Sequence, residues 1–129
     1  MNKVILIGNL GHDPEAKEVG GKPVVNFRLA TNERWRDRDG ERQESTEWHS
    51  CALWGAQVEH FVRLVGKGTK VAIEGRLHHR EDEKDGVKRT FTTVVVQRWE
   101  LLAGARQEGA AEGGGEGGGE GDEVAEEAA

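Results

Sequence analysis

Two tryptophans lie six residues apart in the segment Thr46–Trp54, at a spacing that suits stacking chemistry. On a regular β-strand, Trp48 and Trp54 point to the same side, with Ser50 and Ala52 between them. Six residues of strand span about 20 Å. Flat indole rings at this spacing can stack on unpaired nucleic-acid bases of any sequence. The two rings could equally pack under a loop or in a subunit interface, so the pattern alone leaves both interpretations open.

A third tryptophan, Trp35, opens a charged segment and has arginines on both sides. Arg34 and Arg36 flank it, and Arg38 follows two residues later. Guanidinium groups beside an aromatic ring can combine cation–π contacts with phosphate pairing. Acidic residues alternate with these arginines, so an ordinary solvent-exposed hairpin is the alternative. Trp35 also shares strand parity with the apolar Phe27, and we expect it to reach solvent only if the strand twists or bulges.

The histidines and the single cysteine form no catalytic or metal-binding pattern. His78 and His79 are adjacent, so on a strand they point to opposite faces and cannot share one ion. His49 and Cys51 share a face with Leu53, which favours packing in a core or an interface. One cysteine cannot form an internal disulfide or a paired-cysteine zinc site. We therefore expect no catalytic residue, no metal and no cofactor.

The chain order of the elements that must position these residues is strand, strand, strand, helix, strand, strand. Apolar or alternating residues predict strands over Asn2–Leu10, Pro23–Asn32, Thr46–Trp54, Thr69–Leu77 and Thr90–Leu102. Helical spacing of apolar residues between 58 and 65 predicts one short helix. Charged loops are expected over 34–45, around Asp39-Gly40, and over 78–89, around Asp85-Gly86. This order is typical of the OB-fold, an all-β, five-stranded Greek-key barrel.

Charge is divided unevenly along the 129 residues. Residues 104–129 contain nine of the 19 glycines, eight acidic residues and one basic residue, so they carry a formal charge of −7. The whole chain carries −6, which leaves +1 for residues 1–103. We expect residues 1–103 to form one domain and residues 104–129 to be a disordered acidic tail, because the tail has too few apolar residues for a core. The overall acidity is no argument against a polyanionic partner for the domain.

Several protein classes are excluded at this stage. No stretch approaches the roughly 20 apolar residues that a membrane-spanning helix requires, and the N-terminus lacks a signal-peptide pattern. We therefore expect a cytoplasmic protein without a membrane partner. A domain of about 103 residues is also too short for the core of a dehydrogenase or a kinase.

Five segments together resemble the DNA-binding domain of bacterial single-stranded DNA-binding proteins. They cover about residues 1–102 and read, in order, NKVILIGNLGHDPE, ATNERWRDRDGE, TEWHSCALWG, KGTKVAIEGRL and FTTVVV. The resemblance implies an OB-fold that usually assembles as a homotetramer and binds single-stranded DNA without sequence preference. It also implies a role in replication, recombination and repair, in the cytoplasm and in association with the nucleoid.

The resemblance further implies roles for individual residues. Trp35, Trp48 and Trp54 fall on positions whose rings stack on bases. Lys3, Arg38 and Lys67 fall on basic positions close to the phosphates, and Arg34 and Arg36, predicted above from their place beside Trp35, complete the predicted phosphate contacts. Residues 2–7 would pair with a neighbouring subunit and so cover an exposed strand edge. The predicted oligomer interface comprises Asn2, Lys3, Val4, Ile5, Leu6 and His49.

Three departures from the family pattern affect these expectations. Glu81 and Asp82 stand where the family carries a basic residue and a further stacking tryptophan, so we expect weaker or more salt-sensitive binding. Ser50 and Ala56 replace residues that are often basic. The chain does not end in the Ile-Pro-Phe tip that docks on replication and repair enzymes, which puts recruitment of these partners by that route in doubt.

Two other functions remain as alternatives. The missing loop tryptophan favours an accessory replication-restart protein of the same lineage that acts mainly as a protein-interaction module, whereas the three retained tryptophans count against it. An RNA-binding domain of the cold-shock type would carry clustered phenylalanines on its early strands, where this sequence has only Phe27.

Overall fold

Six strands and one short helix build most of residues 1–105, the part of the chain that the computed structural model describes. The elements are β1 (Val4–Leu10), β2 (Glu15–Val19), β3 (Lys22–Arg36), β4 (Arg42–Trp54), α1 (Val58–Leu64), β5 (Lys70–Lys84) and β6 (Val87–Ala103). The tail predicted to be disordered comprises residues 104–129. Of these, only Gly104 and Ala105 lie within the described part of the chain.

The strands form one sheet in the order β1-β5-β6-β4-β3-β2. β1 also pairs with β3, through Asn9 opposite Ala30 and Leu10 opposite Leu29, and this contact closes the sheet into a barrel. β4 and β6 run parallel and are paired only at Cys51 with Val94 and at Ala52 with Val95. We call this short parallel contact the seam.

Alternating apolar residues of the strands fill the barrel, and α1 covers one end of it. The core contains Leu10, Val25, Phe27, Leu29, Cys51, Leu53, Val58, Phe61, Val65, Val71, Ile73, Val94 and Val96. Phe61 of α1 is fully buried, and its ring centroid lies 4.8 Å from that of Phe27. Burial of each large apolar side chain contributes about 1.5–3 kcal/mol, which fixes the strands that carry the functional residues. α1 has only seven residues, far fewer than a membrane-spanning helix requires.

The five expected barrel strands are present, and the sheet has one further strand, β2, that was not predicted. Its sequence, EAKEV, is exposed throughout and has no alternation of apolar and polar residues. β2 forms because Gly20 and Gly21 both adopt positive φ, +61° and +81°, and make a two-residue turn into β3. In the described part of the chain, β2 pairs with β3 alone, so the barrel itself retains five strands.

The two expected charged loops are mostly paired strands. β3 and β4 stay in one register from Val24 opposite Trp54 to Arg36 opposite Arg42, and β5 and β6 stay paired as far as Lys84 opposite Val87. The turn at Asp85-Gly86 is confirmed, with φ of +55° and +77°. The length of the paired strands was not predicted, because they extend beyond the core, where both of their faces are polar. We call residues 31–47 the first arm and residues 78–93 the second arm.

Candidate nucleic-acid interface

Trp48 and Trp54 lie on the same outer face of the barrel, as strand alternation predicts. In the β3–β4 register Trp48 stands opposite Ala30 and Trp54 opposite Val24, on the side away from the core. The seam extends this face to β6, because Ala52 is paired with Val95. We call this outer surface of β3, β4, β6 and the adjoining part of β5 the tryptophan face.

Trp48 has a defined seat at the base of the first arm. Its side chain is 48% exposed, and its six-membered ring lies directly over Gly11. A Cβ atom on residue 11 would come within 2.7 Å of the ring atom Cη2. The guanidinium carbon of Arg28 lies 5.8 Å from the ring centroid, within the range of a cation–π contact. The position of this indole therefore depends on a glycine at position 11.

Trp54 is more deeply packed than Trp48. It lies against a small apolar cluster on the tryptophan face, formed by Val24, Ala52 and Val95. This contact anchors the ring beside the seam and leaves it partly exposed. The sequence left open whether Trp54 packs against the protein or offers a surface for stacking. In the structure it does both, because one part of the ring is packed and another part is exposed.

Two buried polar atoms lie on β3 between the two tryptophans. Asn26 is 4% exposed, and within the described residues neither its Oδ1 atom nor Nε of Arg28 has a hydrogen-bond partner. A buried polar atom without a partner is costly, so a ligand that supplies one gains free energy. Sequence reasoning missed Arg28. The available signal was a basic residue at a position that alternates with the core residues Phe27 and Leu29.

Alternation sorts the charges of the first arm by face. Arg34, Arg36 and Arg42 share the face of Trp48, where Glu44 is the one acidic residue of the described arm. Glu33 and Glu47 lie on the opposite face. Nε of Arg34 is 3.8 Å from Oε2 of Glu44, and both side chains are well exposed, so this ion pair contributes little. Charges that alternate in the sequence thus produce a basic face beside Trp48.

The second arm repeats this arrangement. Its tryptophan face carries Arg80, Lys84 and Arg89, with Asp82 opposite Arg89 in the ladder. Its other face carries Glu81, Glu83 and Lys88. The anionic effect expected at Glu81 and Asp82 is therefore split between two faces, and on the tryptophan face the basic residues outnumber Asp82.

Trp35 is also 48% exposed, but alternation places it on the face of the first arm opposite Trp48. The β3–β4 register is continuous, so no bulge exposes this side chain. It reaches solvent because the arm extends past the core. The ring borders an open depression of about 530 Å³, which it shares with Arg34, Arg36 and Arg42.

The remaining predicted phosphate contacts are spread over three places. Arg38 lies exposed in the tip loop of the first arm. Lys67 is exposed, and its backbone N–H donates to Oδ1 of Asp13 at 2.7 Å, which ties its loop to the segment beneath Trp48. Nζ of Lys3 lies 2.8 Å from Oε2 of Glu74 and lowers the pKa of that carboxyl group. The positive charge of Lys3 is therefore already partly balanced within the chain.

The residues of the predicted oligomer interface have different environments. The Asn2 side chain donates to the carbonyl of Leu77 and accepts from its N–H, so it extends the β1–β5 ladder by one rung. Ile5 is 64% exposed, whereas Val4 and Leu6 pack against the core. Nε2 of His49 and Oγ1 of Thr31 are hydrogen-bonded at 2.9 Å, beside the end of β1, where Asn9 is paired with Ala30.

No metal site is found among residues 1–105. The described residues contain no group of three His, Cys, Asp or Glu side chains that could hold an ion. His78 and His79 stand opposite Thr93 and Thr92 and lie on opposite faces of β5. Cys51 is fully buried, and burial raises the pKa of its thiol, which keeps it protonated and unreactive.

Comparison with known proteins adds independent findings. The model of the single-strand binding protein family matches residues 1–102. The chain is 45% identical over 112 residues to single-stranded DNA-binding protein 1 of Chlorobaculum tepidum, an alignment that covers 84% of this chain and 68% of that protein. It is 41% identical over 109 residues to a single-stranded DNA-binding protein of Neisseria meningitidis serogroup A, covering 83% of this chain and 63% of the relative.

Solved structures match as well. A Plasmodium falciparum SSB in complex with ssDNA aligns with a TM-score of 0.73 and 31% identity, over 80% of this chain and 96% of the other. The wild-type single-stranded DNA-binding protein of Thermus aquaticus aligns with a TM-score of 0.69 and 32% identity, over 81% of this chain and 51% of the other. The predicted OB-fold is confirmed by these structures.

Proposed function

Because this chain belongs to the single-strand binding protein family, we propose that it binds single-stranded DNA along the tryptophan face, without sequence preference and without a catalytic step. The match over residues 1–102 confirms the predicted family and the class of activity. The residues that make the contacts are our proposal. One observation carries it, namely that both arms present most of their basic strand residues on the face that holds Trp48, with Lys88 as the exception.

The proposed binding combines two kinds of contact, base stacking on tryptophans and ion pairing of phosphates with arginines. Bases stack on Trp48 and Trp54, which lie about 20 Å apart along β4. The phosphates of the same strand pair with Arg34 and Arg36 of the first arm. Every base has an aromatic face and every nucleotide a phosphate, so this surface binds without regard to sequence. Affinity falls as salt rises, because each pairing releases counterions.

The bound DNA continues beyond the tryptophan face on both sides of Trp48. Lys67 adds a positive charge beside the segment that seats Trp48, and Arg38 adds one at the tip of the first arm. Trp35 stacks on a base where the DNA passes around the edge of the arm to its other face. Lys3 contributes least, because Glu74 already neutralises much of its charge.

Assembly uses a different surface. We infer a homo-oligomer, by family a tetramer, in which the exposed outer side of β1 around Ile5 contacts a second copy. Ile5 and Ile7 are 64% and 54% exposed, unusually high for isoleucine on a strand. Ile5→Glu should lower the mass seen by analytical ultracentrifugation and leave the monomer folded. An unchanged mass would place the interface elsewhere. We propose that this assembly acts in replication, recombination and repair, in the cytoplasm and in association with the nucleoid.

Two neighbouring residues on the second arm provide a matched test of the proposed face. Arg89 lies on the tryptophan face and Lys88 on the other, and both are exposed. Arg89→Gln should weaken binding to oligo-dT and reduce the slope of log affinity against log salt by about 0.7. Lys88→Gln should change neither.

The measurement is a titration with oligo-dT at several salt concentrations, followed by tryptophan fluorescence, with duplex DNA as the control. Quenching by oligo-dT that weakens with salt is expected for the wild type. Absence of quenching would favour the accessory protein-interaction module instead. Equal losses in Arg89→Gln and Lys88→Gln would mean that the tryptophan face is not the DNA-binding face.

A further inference from the structure

A stacked pair of side chains lies on the second arm, apart from all three predicted stacking tryptophans. Arg80 of β5 and Phe91 of β6 are directly opposite in the antiparallel ladder. The guanidinium carbon of Arg80 lies 4.9 Å from the centroid of the Phe91 ring. This distance is shorter than the 5.8 Å between Arg28 and the ring of Trp48. The arm thus carries an aromatic ring and a cation in close contact.

The register places this pair on the tryptophan face. Val95 of β6 is paired with Ala52 across the seam and packs in the same cluster as Trp54. Phe91 precedes Val95 by four residues, so it lies on the same side of β6. Trp48 likewise precedes Ala52 by four residues on β4. Trp48, at the base of the first arm, and Phe91, in the second arm, therefore lie on the tryptophan face at the same distance from the seam, about 13 Å along their strands.

Phe91 is not part of the core of the described residues. It is partly exposed, belongs to neither of the two apolar clusters, and has exposed threonines on both sides, Thr90 and Thr92. The simplest role for a phenylalanine in this position is that of a cross-strand partner that stiffens the arm. The guanidinium stacked on it adds a second flat surface, which is also able to stack on bases.

We propose that Phe91, together with Arg80, is a further base-stacking site for single-stranded DNA. The proposal rests on the proposed function and extends its surface from the first arm to the second. It supplies an aromatic contact on the arm where Asp82 occupies the position of a family tryptophan. A strand that stacks on Trp48 crosses the gap between the arms and meets Phe91 next, while Arg80 pairs with a phosphate or stacks on the neighbouring base.

Substitutions at residue 91 separate stacking from packing. Phe91→Leu keeps an apolar side chain but removes the ring, and it should weaken binding to oligo-dT about 5-fold or more. Phe91→Tyr keeps the ring and should bind within about 2-fold of the wild type. Neither change should alter the salt slope, because no charge is lost, whereas Arg80→Gln should reduce it by about 0.7. Val87→Ala, on the same face at the tip of the arm, is the control and should bind normally.

A direct measurement keeps the proposal testable if Phe91→Leu folds poorly, as judged by its melting temperature. The wild-type protein is irradiated with oligonucleotides that contain 5-iododeoxyuridine, which cross-links to aromatic rings stacked on it. Peptide mass spectrometry should find adducts at Phe91 as well as at tryptophan. Adducts at tryptophan alone would overturn the proposal, as would equal affinities of wild type and Phe91→Leu. If Trp48→Ala weakens binding in that case, only the role of Phe91 fails. If the wild type does not bind oligo-dT at all, the proposed function fails with it.

Discussion

The base and the outer part of the first arm each present a tryptophan, and the two side chains expose the same fraction of their surface, 48%. At the base, Trp48 rests on Gly11 and lies beside the guanidinium of Arg28. On the outer part, Trp35 stands on a polar ribbon beyond the core, and none of the ring contacts found among the described residues involves it. The two side chains are thus equally exposed, but contacts with neighbouring residues hold only Trp48 in a defined position.

This difference has an energetic meaning. A ring that is already held in one position loses little conformational freedom when a base stacks on it, whereas a freely moving ring must be ordered during binding. Equal access to solvent therefore does not imply equal contributions to affinity. We expect the preorganised base of the arm to dominate binding, and the outer part to add a smaller contact.

The largest expected effect comes from removing the two rings separately. Trp48→Ala should weaken binding to oligo-dT by about 10-fold or more, since stacking contributes roughly 1–3 kcal/mol per base in proteins of this class. Trp35→Ala should weaken it only about 2- to 4-fold, because part of its stacking energy is spent on ordering the ring. Both affinities are measured at one salt concentration, with melting temperatures as the control for folding. A larger loss in Trp35→Ala would reverse the comparison.

Disturbing the seat of Trp48 without touching the ring should have the next largest effect. Gly11→Ala puts a methyl group where the indole lies, and Gly11 is not among the glycines with positive φ, so the backbone itself accepts alanine. We expect a loss of about 3- to 10-fold in affinity, approaching that of Trp48→Ala. In the Trp48→Ala background the same change should have no further effect, a test of coupling between the two sites. Additive losses would show that Gly11 acts in some other way.

The smallest effect concerns the tip of the first arm and depends on pH. The carboxylate of Asp37 accepts hydrogen bonds from the backbone N–H groups of Glu41 and Asp39, and these bonds, with one from Gln43, lower its pKa. A lowered pKa stabilises the tip above the usual pKa of aspartate, and this stabilisation is lost as the pH falls through the lowered value. The effect is small because Asp37 lies in a turn whose neighbouring residues 38–41 are exposed to solvent.

Nuclear magnetic resonance can follow that loss at both tryptophans. Acidification through the Asp37 titration should shift the indole N–H signal of Trp35, near the tip, and leave that of Trp48 in place. Asp37→Asn should show the shifted Trp35 signal already at neutral pH. Equal shifts of both signals in the wild type would mean that the two parts of the arm are not independent.

The sequence predicted the elements whose residues face the core. Five barrel strands, the helix and the turn at Asp85-Gly86 were all expected, because burial imposes alternation and Asp-Gly favours a tight turn. β2 and the extent of strand pairing in the arms were not predicted, since a ribbon with two polar faces lacks the alternation of apolar and polar residues that indicates a strand. Gly20-Gly21 was the local signal available for β2.

The site was predictable only in part, for a related reason. Alternation alone places Trp48 and Trp54 on one face. The seat of Trp48 could not be predicted, because it joins Gly11 to a residue 37 positions later in the chain. Phe91 was overlooked because its face follows from the seam, a parallel contact of two residue pairs that no local pattern reveals.

The strands of the arms in related chains should differ in length by even numbers of residues, because side chains alternate between the two faces of a strand. Removing one residue from β3 before Glu33 would turn Arg34 and Arg36 to the far face and bring Glu33 onto the side of Trp48, since a shift of one position exchanges the two faces of a strand. Removing two adjacent residues would restore the original sides. Evolution can therefore shorten or lengthen β3 in steps of two, whereas a single deletion replaces the positive charges of Arg34 and Arg36 on the proposed DNA-binding face with the negative charge of Glu33.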